Sequence, residues 1–191
     1  FNCVDRHLAT LGDKTALLWE SDDPHEKSRA ISYRELAREV GRFANTLKKA
    51  GVKRGDCVTI YMPMIPEAAF AMLACTRIGA MHSVIFGGFS PLAISDRMLN
   101  GQSRFVITAD EGLRGGKKIP LKKNVDEALH LLAKEKDAPQ VKQVLVVKRT
   151  GATVEMKSGR DAYYDEVSRE LPIDCAPVEM DAEDPLFILY T

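Results

Sequence analysis

The stretch CVTIYMPMIPEAAFAMLACTRIGAMHSVIF, Cys57 to Phe86, decides the fold. Its first six residues, Cys57–Met62, are continuously apolar enough for a strand buried on both faces. Pro66 then opens a helix that is apolar almost all round, which predicts neighbours on several of its sides. Gly79 closes that helix, and MHSVIF, Met81–Phe86, reads as the next strand. A buried strand, a covered helix and a second strand make a parallel crossover unit.

The same alternation extends in both directions. Upstream, TALLWE (Thr15–Glu20) reads as a strand and Ser21–Arg29 as a charged loop. Ser32 and Glu35 have the spacing of a capping box. Leu36, Val40, Phe43 and Leu47 then form one apolar helical stripe, with Gly51 placed to stop it. Downstream, Ser90 and Pro91 mark a third helix start. RFVITA (Arg104–Ala109) reads as a strand, Ile119–Glu135 as a helix, VLVVKR (Val144–Arg149) as a strand and Gly159–Leu171 as a short helix. Between the last two, Arg149–Gly159 is a hairpin or a loose connection. The chain ends on the apolar strand FILYT. These elements predict an α/β fold, a doubly wound, mostly parallel sheet with helices on both faces. With no turn or polar tail after FILYT, the chain reads as a segment of something longer.

With 191 residues, 45% hydrophobic and 28% charged, the chain can bury a sizeable core. Basic and acidic residues balance at 27 each, so the whole chain carries no electrostatic signature of nucleic-acid binding, and a basic site must be local. Cys3, Cys57, Cys75 and Cys175 are far apart, with no metal-ligand spacing. They predict free thiols, no structural zinc, and a cytoplasmic or other reducing compartment. The most apolar run, Ile65–Ile85, contains Glu67, Arg77 and His82 and is a poor membrane span.

Two loops at carboxyl ends of the predicted strands carry unusual residues. FGGFS, Phe86–Ser90, combines two glycines with a helix start, a setting for an anion and equally for a tight turn. TADEGLRGGKK, Thr108–Lys118, leads from a strand into a basic run. Arg114, Lys117, Lys118, Lys122 and Lys123 stand there against Asp110 and Glu111. An arginine offers a fork for phosphate and a flat face for a purine, and lysine a point charge. A solvated loop running into a lysine-rich helix start has the same composition. His82 reads as a packed, hydrogen-bonded core histidine. Met62, Met64, Met72, Met81 and Met98 read as core filler. Asp181–Asp184 reads as a solvated strand entrance, and Tyr163 and Tyr164 as a helix packing face or a stacking surface.

Three long stretches together resemble the AMP-forming acetyl-CoA synthetases of the adenylate-forming acyl-CoA synthetase superfamily. They are Ile60–Pro91, Arg104–Leu129 and Ala182–Thr191, and the resemblance runs in order along essentially the whole chain. It implies that residues 1–191 are an early portion of the N-terminal AMP-binding domain, without the C-terminal domain. The family's phosphate loop, of the form SGSTGKPKG, would follow Thr191. The implied reaction joins acetate to CoA through acetyl-adenylate, with ATP and CoA as substrates and Mg2+ bound outside this segment. The implied partners are thus small molecules, with neither nucleic acid nor membrane. A related short-chain synthetase, such as one for propionate, and a non-catalytic module for a phosphorylated ligand are the alternative readings. The segment alone is expected to be inactive.

By the same resemblance no catalytic residue lies in this segment, and the CoA-nucleotide loops do. The family's FGG turn matches Phe86, Gly87 and Gly88, and its R-x-G-R motif matches Arg114, Gly115, Gly116 and Lys117. Lys117 departs from the arginine of many relatives, which removes one bidentate, stacking group.

Overall fold

A computed structural model describes residues 1–190. After a short 3-10 turn at Asp5–His7 come α1 (Leu8–Leu11) and the antiparallel pair β1 (Thr15–Trp19) and β2 (Arg29–Ser32). The main body alternates α2 (Tyr33–Lys49), β3 (Cys57–Met62), α3 (Pro66–Arg77), β4 (Met81–Phe86), α4 (Pro91–Asn100) and β5 (Phe105–Ala109). A two-stranded hairpin, β6 (Gly112–Arg114) and β7 (Lys117–Ile119), precedes α5 (Leu121–Leu132) and β8 (Gln143–Val147). The chain closes with β9 (Asp161–Tyr163), α6 (Tyr164–Ser168) and β10 (Phe187–Ile188).

Six strands form one parallel sheet in the order β10-β4-β3-β5-β8-β9. Every residue of β3 and β5 is buried, as expected for central strands of a sheet covered on both faces. Helix α3 packs with α2, and α4 packs with α5. From β3 the chain crosses to β4 on one side, whereas from β5 it crosses to β8 on the other. Right-handed crossovers therefore put α3 and α5 on opposite faces, and the carboxyl ends of the neighbours β3 and β5 diverge. The predicted doubly wound architecture is the one found.

Helix α2 buries Leu36, Val40, Phe43 and Leu47, the whole predicted stripe. Ser32 Oγ accepts the Glu35 amide at 3.1 Å, one half of the capping box. The other half is replaced, because the Glu35 carboxylate turns to Arg29 at 3.2 Å. Tyr164 stacks on Phe43 with ring centroids 4.3 Å apart, which settles it as a packing residue.

Several expectations need correction. Arg29 begins β2 rather than ending a loop, because β1 needs an antiparallel partner. Only Tyr164–Ser168 of the region Gly159–Leu171 is helical, since Asp161–Tyr163 pairs with β8 as an extra parallel strand. Of the two readings of Arg149–Gly159, the loose connection is the one found. The final strand is short and lies at the sheet edge beside β4, leaving Leu189 72% exposed. Met62 and Met98 are buried and Met72 and Met81 half-buried, but Met64, in the loop after β3, is 81% exposed. His82 packs beside Phe187, yet its buried Nδ1 has no hydrogen-bond partner among the described residues. Burial pushes its pKa down and favours the neutral ring.

Candidate functional site

The carboxyl ends of β3, β4, β5 and β8 open into a cleft of about 350 Å³. Trp19, Met62, Phe86, Gly87, Arg114 and Arg149 are among its lining residues. This is where an open α/β sheet binds ligands, because neighbouring strands send their chains to opposite faces there.

One wall is the β6–β7 hairpin. The run of basic residues after β5 is not a plain loop. Gly115 and Gly116 have φ angles of 55° and 71°, the two left-handed positions of a two-residue turn that matches strand twist. Arg114 and Lys117 are therefore directly paired across the hairpin, and both are exposed.

The facing wall is the turn after β4. The Arg114 guanidinium lies over the Phe86 ring, 4.5 Å from its centroid, a cation–π contact between segments 28 positions apart. Phe89 meets Phe86 edge-on at 6.4 Å. A Cβ on Gly88 would fall 2.9 Å from the Phe86 ring and 3.0 Å from Arg114 Nη1, so only glycine leaves room for that stack. Gly87 is different: an added Cβ would meet its neighbours no closer than 3.4 Å. Behind the turn, Ser90 Oγ accepts the Ala93 amide at 3.3 Å and caps α4, with Pro91 in its first turn.

Of the residues expected from sequence, Phe86, Gly87 and Arg114 line this cleft, and Gly88, Gly115, Gly116 and Lys117 adjoin them in the same two turns. Phe86, Gly88 and Arg114 touch, Gly115 and Gly116 make the hairpin turn, Gly87 lines the cleft, and Lys117 stands free beside Arg114. The expected cluster of basic residues is smaller than its sequence. Lys122 is fully buried, bound to Asp126 at 2.7 Å and to Asp161 at 2.9 Å, and donates to the Glu155 carbonyl. The apolar stem and those partners place it in the core, so its charge is unavailable to a ligand. Lys118 leans toward Glu111 at 3.6 Å.

Three supports escaped the sequence reading. Asp110, 1% exposed, ends β5 with a carboxylate that accepts backbone amides of Glu111, Arg149, Thr150, Gly151 and Ala152. It therefore holds the exits of β5 and β8 together; its position directly after a buried strand was the available signal. Arg149 lies 5.4 Å from the Trp19 ring centroid and donates to both Glu26 oxygens, fastening the 21–28 loop to the cleft. That pairing, with help from Ser21, holds the Glu26 carboxyl below the usual carboxylate range. Tyr61, in the middle of β3, turns its hydroxyl to the turn after β4, and a phenol in an apolar strand was the hint.

A larger apolar groove of about 630 Å³ runs beside the cleft, past Leu18, Met64, Val84, Phe89 and Leu189. Its cation, Arg97, is occupied against the Phe89 and Tyr190 rings. Asp184 is used by Arg54 and by the Asp181 amide, as fits a solvated strand entrance. All four cysteines are free, and burial raises the Cys57 thiol to about 11 and the Cys75 thiol further. No helix among the described residues is long and apolar enough to cross a membrane.

Residues 4–191 match the AMP-binding enzyme family. Acetyl-coenzyme A synthetase 2 of Pseudomonas putida is 63% identical over all 191 residues, which correspond to 29% of that protein. An acetyl-coenzyme A synthetase of Bdellovibrio bacteriovorus is also 63% identical, again over the whole chain and 29% of its own length. Among solved structures, acetoacetyl-CoA synthetase from Streptomyces lividans superposes with a TM-score of 0.82 at 25% identity, covering 97% of this chain and 27% of that one. The chain thus spans under a third of the length of the relatives it matches. The family match spans nearly the whole chain, and the chain belongs to the AMP-binding enzyme family.

Proposed function

We propose that this chain is the part of an AMP-forming acetate–CoA ligase that receives the nucleotide end of CoA. The complete protein would join acetate to CoA in two steps. An acetate oxygen attacks the α-phosphorus of ATP and pyrophosphate leaves, giving acetyl-adenylate. The CoA sulfur then attacks the acetyl carbonyl, and AMP leaves as acetyl-CoA forms. In this reading the segment binds and orients, and the first step uses residues outside it. Mg2+ belongs to that first step. In this reading its site lies outside this segment, and no step is routed through it. With its four free thiols the protein would work in the cytoplasm or another reducing compartment.

The observation that carries the proposal is the Arg114–Phe86 stack at 4.5 Å, which joins the two glycine loops into one rim. The flat guanidinium offers a purine a stacking surface and keeps N–H groups for phosphate. Lys117, paired with Arg114 across the hairpin, adds a mobile positive charge for a phosphate. Gly87 and Gly88 add no side chains to the opposite wall beside the Phe86 ring.

The test is Arg114→Ala and Lys117→Ala in the full-length protein. Arg114→Ala is expected to raise the apparent KM for CoA about ten-fold or more, and Lys117→Ala by less, as for loss of charge-assisted contacts. Acetate-dependent ATP–pyrophosphate exchange should be largely spared in both. An unchanged KM for CoA in both variants would reject the site.

A further inference from the structure

We propose that Tyr61 is a positioning residue for the nucleotide subsite, its hydroxyl fixing the turn after β4 against α5 so that Phe86 and Arg114 meet. This inference rests on the reading of that subsite given above.

Tyr61 is fully buried in the central strand of the sheet, between Ile60 and Met62. A buried hydroxyl needs partners, and the fold brings them from two different segments. The oxygen lies 3.0 Å from the Gly87 carbonyl and 3.0 Å from the Phe89 carbonyl, so its proton can be donated to either. It also accepts from Asn124 Nδ2 at 3.1 Å.

Gly87 and Phe89 flank Gly88, the residue whose missing side chain leaves room for the stack. Asn124 stands in the first turn of α5, which Pro120 joins directly to the β6–β7 hairpin bearing Arg114. One oxygen therefore links the wall that carries Phe86 to the base of the wall that carries Arg114. Tyr61 lies behind the turn and acts through its backbone, which distinguishes it from the residues that would touch CoA. Burial raises the phenol's pKa, so the donor persists through neutral pH.

Tyr61→Phe keeps the ring and removes only the link. In the full-length protein it should raise the apparent KM for CoA about three- to ten-fold, the range for one intramolecular hydrogen bond. Acetate-dependent ATP–pyrophosphate exchange should stay at its starting rate. In an Arg114→Ala background the same change should add little, because both act on one contact. Asn124→Ala leaves the phenol in place and should move the KM the same way by a smaller factor. It serves as the test should Tyr61→Phe fail to fold.

An unchanged KM for CoA in both single variants overturns the positioning role. So does a loss of pyrophosphate exchange equal to the loss of CoA use, which would mark a purely structural residue. The two readings fail separately. No effect of either Arg114→Ala or Lys117→Ala sinks the subsite and the positioning role with it; an effect of Arg114→Ala with none from Tyr61→Phe or Asn124→Ala sinks the positioning role alone.

Discussion

Two identical dipeptides, Gly87–Gly88 and Gly115–Gly116, stand on the two segments joined by the Arg114–Phe86 contact, under different constraints. At Gly115 and Gly116 both φ angles are positive and an added Cβ would meet nothing within 4 Å. At Gly88 φ is not positive, yet an added Cβ would strike the Phe86 ring and Arg114. Gly115 and Gly116 are demanded by backbone shape, and Gly88 by room. A Gly-Gly pair in a sequence therefore says that something is unusual nearby, without saying whether it concerns the chain or what approaches it.

The comparison can be broken most decisively at the hairpin. Gly116→Val forces a branched side chain into a left-handed conformation, at about 2 kcal/mol, roughly thirty-fold in the opening equilibrium. Amide hydrogen exchange of Arg114 and Lys117, the pair that closes the turn, should quicken by about that factor. Gly115→Asn, which tolerates the left-handed region, should change it far less. Equal acceleration by both would show that space, not backbone shape, governs this turn.

Gly88→Ala should do the reverse. The atoms in its way are ends of side chains that can swing aside, so stability should change by less than about 0.5 kcal/mol. The swing separates Arg114 from Phe86, and the apparent KM for CoA should rise about five-fold, a change near 1 kcal/mol. A large drop in melting temperature with unchanged CoA use would erase the distinction between the two pairs.

The smallest expected effect concerns the loop that closes the cleft's third side. Arg149 lowers the Glu26 carboxyl below its unfolded value, so this pair contributes above the ordinary glutamate range, about pH 4.3, and is lost as pH falls through the lowered value. A partly exposed pair of this kind is worth about 0–1 kcal/mol. Protection factors in residues 21–28, taken relative to intrinsic exchange at each pH, should therefore fall by up to about five-fold between about pH 5 and 3. Glu26→Gln should already have the lower protection at pH 5 and show no such step.

Much of this molecule could be read from its residues because local and tertiary demands agree. The unbroken apolar run of β3 and the stripe Leu36, Val40, Phe43, Leu47 have one sensible placement each, and the structure uses it. The misreadings share a cause: partners distant in the chain. Asp161–Tyr163 resembles a helix start until β8 is placed beside it. Lys122 reads as surface charge until Asp126 and Asp161 surround it. The hairpin at Gly115–Gly116 was legible as glycines and charge, but three-residue strands are too short for an alternation signal. Asp110 and Tyr61 carried only a positional hint, since their partners lie on other segments.

The Arg114–Phe86 contact has a consequence for binding kinetics. A free arginine side chain carries about 2 kcal/mol of rotamer entropy. Here the Phe86 ring orders it. An arriving nucleotide would meet a preorganised surface, and little of its interaction would be spent on ordering that side chain. Removing the ring with Phe86→Ala while keeping Arg114 would leave the charge in place but free to wander. Long-range attraction, and so the salt-dependent association rate, should survive that change, while the complex should dissociate faster.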